Sequence, residues 1–147
     1  MTTDKSIDVL NSLIVINNDR IQGYETAIEE TKDNDLTSLF NRFIDHSREF
    51  RDELIAAVAK LGGKPADGTR PDGKIYRAWM DFKAMITGKD RKAILSSCEY
   101  GEDVAVNTYE KAMKDEDLSP VYSGIVSTQY AKIKSDHDEV RSLRDAA

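Results

Sequence analysis

Along the first 61 residues apolar side chains recur every three to four places, interrupted by no proline and by one glycine, Gly23. That period is helical. Leu10, Leu13, Ile14, Ile21, Tyr24 and Ile28 form one stripe with Asn17 inside it, predicting a helix over about 6–31. "TKDNDL" (Thr31 to Leu36) breaks the pattern and offers Asp35 as an N-cap. A second helix, about 36–61, carries Leu36, Phe40, Phe43, Phe50, Leu54 and Leu61 on one face. Gly62-Gly63 ends it, with Pro65 shortly beyond.

Residues 62–74 gather four glycines and two prolines and read as loop. A short amphipathic helix at about 75–87 follows, with Ile75, Trp79, Phe82 and Ile86 on one side. The third long helix, about 91–114, buries a line through Ile94, Cys98, Glu102, Ala105, Tyr109 and Ala112. Ser119-Pro120 is a serine cap followed by a proline at the first helical position, opening a fourth helix over about 120–144. Nowhere does the pattern alternate as a strand would. The expectation is one all-α domain spanning 1–147: two antiparallel hairpins joined by a long crossover, 62–90, that carries the short extra helix. A crossover long enough to run the length of the bundle is the ferritin-like arrangement.

Composition narrows the partners. Charged residues make up 33% of the 147, yet Lys and Arg are interleaved with Asp and Glu, and the net charge is −6. Without a basic stripe, nucleic acid is excluded as an expected partner. No apolar run approaches the ~18 residues that span a bilayer, and the N-terminus lacks the features of a signal peptide. Cys98 has no second cysteine to pair with. The location expected is cytoplasmic.

The glycine-rich crossover followed by "YRAWMDFKA" (Tyr76 to Ala84), the helix "ILSSCEYGEDVAVNTYEKA" and the closing "HDEVRSLRD" (His137 to Asp145) resemble a bacterial family of ferritin-like four-helix bundles catalogued as a domain of unknown function. Arg77-x-Trp79-x-Asp81-x-Lys83 and Gly101-Glu102-Asp103 carry the resemblance most specifically. It implies the fold, and by analogy with related bundles an association with stress responses. It implies no particular activity.

The chemistry such a bundle can hold is a carboxylate-bridged pair of metal ions. That centre takes a Glu from each of two helices and Glu-x-x-His from each of the other two. Both histidines here, His46 and His137, stand in the second and fourth helices. Three places before them, however, are Phe43 and Lys134, which cannot bridge. Glu25 and Glu102 are the nearest carboxylates on the first and third helices. At 1.5 Å per residue they reach a similar depth, with His46 about 6 Å beyond and His137 about 4 Å short. The candidate ligands for iron, manganese or zinc are therefore Glu25, His46, Glu102 and His137. The competing expectation, which the missing Glu-x-x-His favours, is a hydrogen-bonded polar layer in which Asn17, Gln129, Tyr24 and Tyr109 satisfy Glu102 and its neighbours. No nucleophile or phosphate-loop pattern points to catalysis. Tyr76, Trp79 and Phe82 form a candidate contact surface for a protein partner or a second copy.

Overall fold

The computed structural model describes residues 2–68 and 91–147. The predicted crossover helix at 75–87, with Tyr76, Trp79 and Phe82, lies outside the described residues. Four helices make up the described chain: α1 (Thr2–Glu30), α2 (Asn34–Lys60), α3 (Arg91–Met113) and α4 (Pro120–Ala146). No strand occurs among the described residues.

α1 starts four residues earlier than the apolar stripe implies. Its opening turn is polar, and Asp4 there lies favourably on the positive end of the helix dipole. At the turn into α2 the capping position belongs to Asp33 rather than Asp35; its backbone is extended, and its carbonyl accepts from Thr37 N–H at 3.1 Å. The Asp33 side chain makes no cap hydrogen bond. Arg91, at the start of α3, takes Asp33 at 3.0 Å and both oxygens of Asp35 at 3.0 and 2.8 Å. That clamp holds the Asp35 carboxyl below its ordinary range.

The other end of α2 closes as its glycines predict. Gly62 has φ +82°, Gly62 N–H reaches the Ala59 carbonyl, and Gly63 N–H the Val58 carbonyl. These two bonds are a Schellman turn. Gly63 then lies on Ile7, whose side-chain carbons would stand 2.8–2.9 Å from any added Cβ. From there the chain climbs along α1. Asn11 holds the Lys64 carbonyl and Ala66 N–H, and Asn18 holds the Gly68 carbonyl.

These contacts set the topology. The α1–α2 turn and the start of α3 share one end of the bundle; Gly63, the start of α1 and Asp117 share the other, where Ser6 Oγ donates to the Asp117 carbonyl. α2 and α3 are therefore parallel, and residues 62–90 connect opposite ends. α1 packs closely on α2 and on α3, and α3 on α4, while α2 and α4 approach only sparsely.

Each helix buries a seam in which the steps alternate three and four, the heptad geometry of bundles. In α1 it runs Leu10, Leu13, Asn17, Arg20, Tyr24 and Ala27, all fully buried. Leu36, Phe40, Phe43, Ser47, Leu54 and Ala57 serve in α2. α3 contributes Leu95, Cys98, Glu102, Ala105, Tyr109 and Ala112, and α4 Val126, Gln129, Ile133, Asp136 and Val140.

Gly62→Ala should cost about 1–2 kcal/mol, because a Cβ is disfavoured in the left-handed conformation. Urea unfolding should show a lower midpoint with an unchanged slope.

Candidate functional site

Six seam positions are polar: Asn17, Arg20, Ser47, Glu102, Gln129 and Asp136. They fall into two layers. In the central one each helix supplies a single seam residue, and Arg20 joins the other three. Its Nε donates to Glu102 Oε1 at 2.7 Å, one terminal nitrogen donates to Ser47 Oγ at 2.6 Å, and the other to Asp136 Oδ2 at 3.4 Å. Tyr24 donates its hydroxyl to the same Glu102 oxygen at 2.7 Å. His46 Nδ1 lies 2.9 Å from Asp136 Oδ2, and a carboxylate only accepts, so that nitrogen carries the proton. The second layer runs from Asn17 Nδ2 to the Tyr109 hydroxyl at 2.8 Å, then from that hydroxyl to Gln129 Oε1 at 2.6 Å. Gln129 in turn donates to Glu53 at 2.7 Å and to the Phe50 carbonyl at 3.3 Å.

Burial gives these groups their character. Desolvation disfavours the Arg20 guanidinium, but Glu102, Tyr24 and Asp136 outweigh it and hold the group permanently charged. Burial pushes the Tyr24, Tyr109 and Cys98 protons up, so all three are neutral at ordinary pH. Cys98 is packing, not a nucleophile.

The four ligands expected from sequence do not meet. Glu25 is exposed on the outside of α1, 3.8 Å from Arg48. Glu102 is the fully buried partner of Arg20. His46 edges the groove between α2 and α4, a space of about 440 Å³ lined also by Glu49, Phe50, Thr128 and Lys132. His137 belongs to a different cluster on the α3–α4 seam. Its Nε2 is 2.5 Å from Asp103 Oδ1 and its Nδ1 is 3.0 Å from Asp138 Oδ1. Glu99 lies beside it, ion-paired with Arg144.

The central layer does not fit a dinuclear metal centre. Among the described residues it offers two buried carboxylates, Glu102 and Asp136, where four are needed, and one imidazole at its margin. Between those carboxylates sits a fixed cation. A metal ion within ~4 Å of that guanidinium would meet repulsion of about 4 kcal/mol for each unit of its charge. Phe43, three residues before His46, packs on Tyr24 with ring centroids 5.3 Å apart. Lys134, three before His137, is a half-exposed partner of Asp138.

Arg20 is the residue on which the central layer turns. Its signal is present in the sequence, since a step of three from Asn17 and four to Tyr24 puts it on the seam, but Ile21 satisfies the same stripe and is also buried. Each histidine follows an aspartate in sequence, Asp45-His46 and Asp136-His137, yet Asp45 is exposed and His46 takes Asp136 instead of its own neighbour.

Arg20→Met should destabilise the protein by about 3–5 kcal/mol, because it leaves Glu102 charged and buried. Adding Glu102→Gln should recover part of that loss, giving a coupling of about 1–3 kcal/mol in a urea double-mutant cycle. His137 gives a pH-dependent outcome. Burial works against its imidazolium, but the hydrogen bonds it donates to Asp138 and Asp103 more than offset this and raise its pKa. The stabilisation is therefore complete below the unfolded value of about 6.5 and is lost as pH rises through the higher folded value. In chelator-treated protein the stability advantage of wild type over His137→Gln should shrink on that alkaline side.

Among solved structures, a point mutant of Mycobacterium smegmatis Dps1 superposes with a TM-score of 0.80 at 18% identity, over 96% of this chain and 95% of that one. The likeness fixes the fold as ferritin-like. The curated proteins contain no match. Among the described residues no helix is long and apolar enough to cross a membrane. Residues 5–115 match the family described as a domain of unknown function, DUF2383, and the chain, a ferritin-like four-helix bundle, belongs to that family.

Proposed function

We propose that this protein is a non-catalytic binding or assembly bundle, a ferritin-like scaffold whose centre is closed by an ion-pair layer in place of a dinuclear metal site. The observation that carries this reading is the Arg20 guanidinium, fully buried between Glu102 and Asp136. A guanidinium fills the role of the cations and needs no redox partner or open coordination position. The polar seam positions also gain from being satisfied, since a layered network fixes which helix faces meet.

In this reading the function lies on the surface. The contact is assigned to the aromatic group Tyr76, Trp79 and Phe82, the richest apolar cluster outside the long helices in the sequence. Among the described residues the exposed large apolar side chains are Tyr100 and Val121, which lie on different helices and form no patch. The partner is a second copy or another protein of the cytoplasm, in keeping with the interleaved charges and the single cysteine. A stress-associated role is compatible with such a scaffold.

Aerobic loading with ferrous iron followed by desalting tests the closed centre. Wild type should retain none at the centre, and Arg20→Met, which removes the cation together with its bonds to Glu102, Ser47 and Asp136, should gain none. Retention of about two irons per chain, lost on Glu102→Gln, would overturn the reading, because that is what a dinuclear carboxylate centre holds. Light scattering tests the surface: wild type should run above the monomer mass and Trp79→Glu should return to it.

A further inference from the structure

We propose that Glu99, Asp103 and His137 form a binding site for a single zinc ion on the seam between α3 and α4. One donor atom from each of the three lies within 4.8 Å of the other two. Glu99 and Asp103 are four residues apart on α3, so their carboxylates stack one turn above the other on one face. His137 reaches them from α4 and is itself buried.

The imidazole is oriented as a ligand would be. Asp138 holds Nδ1 at 3.0 Å, which directs Nε2 towards Asp103. A carboxylate on the far nitrogen is the usual support of a metal-bound histidine. Asp138 is supported in turn by Lys134 at 3.1 Å.

Charge balance favours one dication. Two carboxylates face the site, and two positive donors now answer them: Arg144 on Glu99 and the imidazole on Asp103. Zinc would replace the proton on Nε2 and the guanidinium together. Arg144 would keep Asp145, to which it already donates at 3.2 and 2.8 Å.

Exposure suits an exchangeable ion. The Asp103 side chain is 54% exposed and gives a path from solvent, while those of Glu99 and His137 are 12% and 7% exposed and shield the inner side. One nitrogen and two oxygen donors, with a fourth position open to water, is a zinc coordination set. Zinc bonds of about 2.0–2.1 Å place tetrahedral ligands about 3.3 Å apart, so the 2.5 Å gap between His137 Nε2 and Asp103 Oδ1 would open while Glu99 draws in, adjustments that the Glu99 and Asp103 side-chain rotors can supply. Calcium, which takes six to eight oxygens, fits an imidazole-bearing trio poorly. The inference concerns a site apart from the central layer and does not depend on the assembly role.

Calorimetric titration of chelator-stripped, full-length protein with zinc chloride tests it. Wild type should bind one ion per chain at this site. Asp103→Asn and His137→Gln should each weaken binding by at least about a hundredfold, and Asp138→Asn by about 10- to 100-fold. His46→Gln, at the other histidine, should bind as wild type does. Cobalt in place of zinc should give the visible absorption of a tetrahedral ion, absent in Asp103→Asn. Asp103 is on the solvent edge, so this variant keeps the test decisive if His137→Gln fails to fold, with far-ultraviolet circular dichroism as the check. No saturable one-to-one binding, or unaltered binding by folded Asp103→Asn, or loss of binding in His46→Gln, would overturn the proposal.

Discussion

The bundle is organised around one buried guanidinium. Arg20 has no water to solvate it, and taking such a cation out of solvent costs several kcal/mol unless its partners are well placed. Glu102, Ser47 and Asp136 provide those partners, each from a different helix. The constraint is therefore on all four helices at once. A rotation or a one-turn slip of any helix would leave a charge or a donor unpaired in the interior. The apolar seam supplies most of the attraction between helices, but leucine tolerates many registers, and the Arg20 layer tolerates one. The second layer, Asn17–Tyr109–Gln129, repeats that demand through neutral groups.

This arrangement explains how a ferritin-like fold can exist without the ligands that usually define its centre. In a dinuclear bundle, inward carboxylates from different helices repel one another until cations enter. Here the cation is covalently part of α1, so folding and neutralisation of Glu102 happen together. Phe43, beside Tyr24, completes the change by filling with an aromatic ring the position from which a carboxylate would have bridged.

Much of the fold was legible in the sequence, because helix period, the Gly62-Gly63 stop and the Ser119-Pro120 start are local signals. The crossover topology followed from a length argument, and contacts at both ends of the described chain agree with it. The site was harder to read. Glu102 and Tyr24 stood on visible seams, but Arg20 was masked by Ile21 next to it, and a charged residue is seldom placed inside on pattern alone. Asp136 was hidden in the same way beside His137. Glu25 shares the depth of Glu102 and stands between Ile21 and Ile28 at the edge of the buried face, but the helix turns it outward to Arg48. The Glu99–Asp103–His137 trio needs two helices to be superposed in register, which no single-segment pattern can deliver.

The unequal spacing of the helices has a mechanical consequence. α1 and α3 form a tightly packed spine, whereas α2 and α4 are bridged by long polar side chains: Arg42 to Glu139 at 2.8 Å, His46 to Asp136, and Gln129 to Glu53. The molecule is thus built like a book, bound along one edge by apolar packing and the buried Arg20–Glu102 pair and fastened along the other by polar clasps. Buried contacts are screened little by salt, while the exposed clasp between Arg42 and Glu139 is screened by it. Raising ionic strength would loosen the fore-edge while the spine stays shut, so the four helices do not share one stability. Their motions should be those of a cover opening, with His46 the first interior group to meet solvent.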